Sequence, residues 1–176
     1  PDLRHGNLHR LNAPIVRSMV FLPVRGTGRD YNPRMKAWCL EPPPTLLLRG
    51  IEQFNRGEFF EQHETLEDLW RQETRDVRYL YQGILQVGVG MYQVQRQNHH
   101  GAVYMMTRGP NYLQPFSPTC QSVDVAGLLE QASRILEELK KLGPKALDQF
   151  DWSLRPHVHL VGRAAKESAS HLKSPA

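Results

Sequence analysis

The sequence predicts an all-α fold, a single bundle of about five helices with an extended N-terminal segment. Three observations carry that expectation. From Thr45 onward, apolar residues recur at helical spacing. Helix-ending signals, Gly57 and the pair Gly143-Pro144, punctuate the pattern. No segment alternates apolar and polar residues strongly enough to compete as a strand. With 176 residues, 40% of them hydrophobic, the chain suits one domain with a sizeable core.

The leading segment, residues 1–44, differs from the rest. Residues 1–49 hold eight Lys/Arg against three Asp/Glu, whereas the remainder holds 14 against 15. Pro14, Pro23, Pro33 and the run Pro42-Pro43-Pro44 interrupt it, and it lacks sustained apolar periodicity. It therefore reads as a basic, poorly ordered extension. The chain starts with proline rather than methionine, as a fragment or a processed product would.

The helical domain is expected over 45–145. Thr45 can cap a first helix running to about Asn55, with Leu46, Leu47, Ile51 and Phe54 on one side. A second runs from Glu58 to about Glu73. A third, from about Arg75 to Asn98, contains Gly83, Gly88 and Gly90, each costing close to 1 kcal/mol relative to alanine. Close approach of a neighbouring helix would explain them. A fourth begins near His100 and meets Pro110, where a kink or break is expected. Gln114 to Ser122 reads as a loop, and Asp124 begins a last helix ending at Leu142. Residues 146–176 read as a C-terminal tail, with His157 and His159 solvated.

Several functions are disfavoured at this stage. No apolar run approaches membrane-crossing length. The helical part is slightly acidic and lacks a basic stripe, so nucleic-acid binding is not expected of it. Cys39 and Cys120 are too few and too far apart to read as a disulfide framework or a zinc knuckle, which makes a reducing compartment the default. A cytoplasmic placement follows, or the plastid stroma if the leading segment is a transit peptide; its scarce serine counts against the latter. No partner can be named, and a homo-oligomer is compatible with the sequence.

The second helix holds the strongest clue. At about 100° per residue, Phe59, Phe60, His63, Leu66, Glu67 and Trp70 share an arc of roughly 120°. Four of the six are large and apolar, so the arc should face the core. His63 and Glu67 lie within it, one turn apart. Buried ionisable groups need partners. On the third helix, Arg78, Gln82, Gln86 and Gln93 form one narrow stripe with Val89. The plain reading is a solvent face. The sharper one turns the stripe toward the second helix, where Arg78 and Gln82 could hydrogen-bond Glu67 and His63.

The run from Gly50 to Trp70, with His63, Glu67 and Trp70 in a HxxxExx(W/Y) pattern, resembles the signature of domain of unknown function family 309. Arg78–Gln86, Asn98 with Gly101-Ala102, and Val123-Asp124-Val125 are also similar, so the likeness covers about 45–142. Two departures stand out. Gln93 occupies a position where many members carry histidine, and Pro110 falls where relatives continue a helix. The resemblance implies an all-helical domain of no established activity, in which metal binding through the His/Glu motif is a suggestion.

The candidate site is therefore His63, Glu67, Trp70, Arg78 and Gln82. His63 and Glu67 could supply two ligands to a divalent metal ion from one helix, although zinc needs at least one more. An oxygen-rich set with open water positions suits such a centre better than closed structural zinc. A small-ligand site would use His63 as ligand or general base, Glu67 to orient the imidazole and Arg78 to hold an anionic group. The alternative is a non-catalytic helical adaptor whose His/Glu/Arg/Gln cluster is a structural polar network, with Trp70 capping it.

Overall fold

The computed structural model describes residues 37–162. Most of the basic extension expected over 1–44 lies outside the described residues, as does the end of the tail. A helical turn at 37–39 leads through the proline run into five helices: α1 (Thr45–Arg56), α2 (Phe59–Gln72), α3 (Arg78–Gln95), α4 (His99–Leu113) and α5 (Val125–Leu142). The all-α expectation holds. Each helix packs on the next in chain order, and α3 makes its broadest contacts with α2 and α4. None is long and apolar enough to cross a membrane, among the described residues.

The helix boundaries follow from local chemistry. The prolines hold the chain extended up to Pro44, so Thr45 is the first helical residue rather than the cap. Gly57 ends α1 at φ 83°, a left-handed conformation that glycine adopts without a Cβ clash. Asn98 and Asp124 cap α4 and α5, their side chains accepting from the N–H groups of Gly101 and Gly127.

Glycine also sets how closely α3 and α4 approach. A Cβ on Gly83 would lie 2.6 Å from the Leu113 side chain and 3.1 Å from the Gly109 carbonyl oxygen. The break expected at Pro110 does not occur, since α4 continues through it to Leu113. Two features explain this. Gly109 has no Cβ to clash with the proline ring, and Pro110 falls in the last helical turn, where few backbone bonds remain to lose.

The expected loop after α4 is more structured than anticipated. A 3₁₀ turn, Gln114–Phe116, leads into a short antiparallel hairpin of β1 (Thr119–Cys120) and β2 (Val123–Asp124). Cys120 is bonded to Cys39, which overturns the reading of the two cysteines as too few and too far apart for a disulfide framework. Sequence separation had argued against pairing, yet the fold brings their Cα atoms within 4.1 Å. The buried Tyr81 hydroxyl donates to Gln121 Oε1 at 2.9 Å, fastening the hairpin to α3.

Residues after α5 fold back on the helices. Leu147, Phe150 and Val158 are buried, and Val123 bridges Leu160. Asn55 holds this segment against α1: its Nδ2 donates to the Val158 carbonyl at 2.9 Å, and its Oδ1 accepts from the Val158 N–H at 2.8 Å.

Candidate functional site

α2 carries His63, Glu67 and Trp70 of the candidate set and α3 carries Arg78 and Gln82; the α2–α3 pairing brings Trp70 and Arg78 into contact. Phe59, Leu66 and Leu69 bury one side of α2. Phe60 meets Tyr92 at 6.2 Å between ring centroids, and Trp70 meets Arg78 at the other end of the same interface. His63 lies between these contacts, 8% exposed. The burial expected of it from the apolar arc is observed.

The pairing among the polar groups differs from the sequence expectation. Glu67 accepts a hydrogen bond from Arg71 at 2.7 Å, one turn along α2. Its other oxygen stands 3.8 Å from His63 Nε2, an ion-pair distance rather than a hydrogen bond. Arg78 does not reach Glu67. Its guanidinium lies over the Trp70 ring, 4.3 Å from the centroid, a cation–π contact. The glycine-free, one-turn spacing of Glu67 and Arg71 makes the local pair cheaper to form than the cross-helix one.

The α3 stripe is not a solvent face. Gln82, Gln86 and Gln93 are 7%, 0% and 7% exposed, and Val89 is buried with them. Gln93 accepts from Asn98 Nδ2 at 2.8 Å. It thereby fastens the turn between α3 and α4.

One participant escaped the sequence reading. Gln62 is fully buried, its Nε2 contacting the Ile84 carbonyl at 3.5 Å. Its amide rests against Gly88, where any Cβ would collide with Gln62 Oε1. A signal existed: Gln62 lies three residues after Phe59 and four before Leu66, within the apolar face.

Several polar atoms along this interface are buried without a protein partner. They are Gln62 Oε1, His63 Nδ1, Trp70 Nε1 and Arg78 Nε; both amide atoms of Gln86, elsewhere on α3, are likewise buried without a partner. An unmet buried group costs about 1–3 kcal/mol. Burial also pushes the His63 pKa below 6.5, against the pull of Glu67 and Glu64, with Arg71 adding to the decrease. The imidazole is thus neutral near pH 7. The Glu67 carboxylate is the acceptor nearest Nε2, so its charge favours the tautomer with the proton on Nε2 and the lone pair on Nδ1. Among the described residues, no group of three or more His, Cys, Asp or Glu converges as a metal centre would.

Residues 47–105 match the model of the family described as Domain of unknown function (DUF309). The match covers a third of the chain, bears out the family resemblance over that stretch and contains all five candidate site residues. No curated protein matches the chain.

Proposed function

We propose that the α2–α3 interface binds a small polar ligand, and that His63, Trp70 and Arg78 recognise it. The observation that carries this reading is the set of buried, unpartnered polar atoms along that interface. A self-contained structural network would satisfy its own members, because a half-satisfied one is costlier than an apolar core.

The donor and acceptor types limit the ligand. Trp70 Nε1 and Arg78 Nε donate; Gln62 Oε1 and His63 Nδ1 accept. A matching molecule carries donors and acceptors together. Arg78 is cationic, whereas Glu67 is already engaged by Arg71, so a neutral or singly anionic ligand suits the site better than a cation. Carboxylic acids, amides and polyols have this character. If chemistry follows binding, His63 Nδ1 is the base, and Glu67 stabilises the imidazolium that forms. A metal centre on His63 and Glu67 is less well supported, because Glu67 is paired with Arg71 and a third protein ligand is missing from the described residues.

The test follows the Trp70 indole N–H and the Arg78 Nε–H by NMR, assigned with Trp70→Phe and Arg78→Lys. Formate, acetate, glycolate, acetamide and glycerol are titrated in turn. The reading requires at least one probe to shift both signals saturably, and the response should vanish in His63→Leu. Unmoved signals with all five, together with a lowered Tm in His63→Leu, would leave a satisfied structural network as the better account.

A further inference from the structure

We propose that the Cys39–Cys120 bond is a reducible clasp, a redox modification site whose reaction partner is a dithiol. The bond spans 81 residues of sequence and joins the segment before α1 to the hairpin before α5. Among the described residues, little else holds positions 37–44. No residue from 37 to 44 is buried. The Gln121 N–H donates to the Cys39 carbonyl at 2.8 Å. Arg75 donates to both oxygens of Glu41, at 2.9 and 3.1 Å, and lies 6.0 Å from the Trp38 ring centroid. The Arg75 and Glu41 side chains are 40% and 42% exposed, so their pairing is screened by water. The disulfide is therefore the one covalent tie between residues 37–44 and the hairpin, and it adds to shallow packing and a screened ion pair.

The two sulfurs are not equivalent to a reductant. Cys39 is half-buried, whereas Cys120 is 1% exposed within the hairpin. A thiolate of the dithiol attacks Cys39 Sγ, forming a mixed disulfide, and Cys120 departs as thiolate and takes up a proton. The second thiol of the reductant then attacks its own sulfur in that mixed disulfide. This frees Cys39 as a thiol and leaves the reductant as a disulfide. Two electrons pass to the protein and two protons end on its cysteines. The Cys120 thiol remains a small apolar group in a buried position. The hairpin keeps its fastening to α3 through Tyr81 and Gln121. Reduction thus frees the segment before α1 and leaves the helices packed.

The experiment equilibrates the full chain with reduced and oxidised dithiothreitol in varied ratio. Alkylation counts thiols by mass, far-UV circular dichroism follows helicity, and chymotrypsin probes the bonds after Trp38 and Leu40. The air-oxidised protein should show no free thiol and resist cleavage there. Reduction should release two thiols, leave helicity unchanged and accelerate cleavage at those bonds by about tenfold or more, as for a segment whose local opening becomes nearly free. Cys39→Ser should be cleaved at the fast rate with or without reductant. Two free thiols in the oxidised protein would overturn the proposal. So would loss of helicity together with the bond, or cleavage indifferent to reduction in the wild-type chain.

Discussion

Gly88 and Gln62 show how one absent methyl group decides a buried contact. The Gln62 amide occupies the space a Cβ would need, so Gly88→Ala must displace a fully buried glutamine. Overpacking of this kind typically costs about 1–3 kcal/mol, more than the helix propensity alanine regains. We expect Gly88→Ala to lower stability in urea unfolding, and Gln62→Ala in the same chain to recover part of the loss. Additive costs would show that the two side chains do not compete for space. His63 gives a second residue-scale expectation. Its folded pKa lies below 6.5, so the unfolded chain binds the proton more readily. Stability is therefore fully present above pH 6.5 and falls as the pH drops through 6.5 toward the folded value. His63→Leu should flatten that part of the profile, measured as the urea midpoint between pH 5 and 8. A slope unchanged in the variant would assign it to other groups.

At the scale of elements, the sequence was most informative where neighbouring residues decide the outcome. Apolar spacing located all five helices, and Gly57, Asp124 and Gly143 marked ends that the structure bears out. The three glycines of α3 announced a close neighbour without identifying it. Gly83 faces Leu113 and Gly109 of α4, whereas Gly88 accommodates Gln62 of α2. Gly83→Ala should therefore weaken the α3–α4 pair specifically. A Cβ 2.6 Å from Leu113 has to move that side chain, and the Gly109 backbone behind it leaves little room. We expect about 1–3 kcal/mol of destabilisation, with Leu113→Ala in the same chain less damaging than the two separate costs predict. Strict additivity would dissociate the glycine from that interface. The α3 stripe illustrates the opposite case. Its polar residues looked like a solvent face because periodicity measures amphipathicity and not which side is covered.

At the scale of the whole molecule, three contacts between distant residues draw the segments flanking the helices onto them. Cys39 reaches Cys120, Glu41 reaches Arg75, and Asn55 reaches Val158. None was legible beforehand, because a contact between such distant residues leaves no periodicity in either partner's neighbourhood. The candidate site was legible only in part for the same reason. His63, Glu67 and Trp70 share one helix face, whereas the Arg78 partner depended on helix pairing. The Glu41–Arg75 contact belongs to a small charge cluster that acid should dissolve. Arg75 donates to both Glu41 and Glu73, and its hydrogen bonds to Glu73 hold that carboxyl's pKa down from 4.5 to about 2. A depressed carboxylate contributes stability that is fully present above pH 4.5 and is lost as the pH falls toward about 2. Because Arg75 is 40% exposed, solvent screening reduces the contribution to about 1 kcal/mol or less. Arg75→Met should remove that stability at pH 7 and flatten the acid limb between pH 2 and 4.5. The comparison is made with the disulfide intact in both proteins, so that only the ionic attachment differs. An acid limb of unchanged slope would mean that other carboxylates govern acid unfolding, and that the cluster orders the α2–α3 turn without stabilising it.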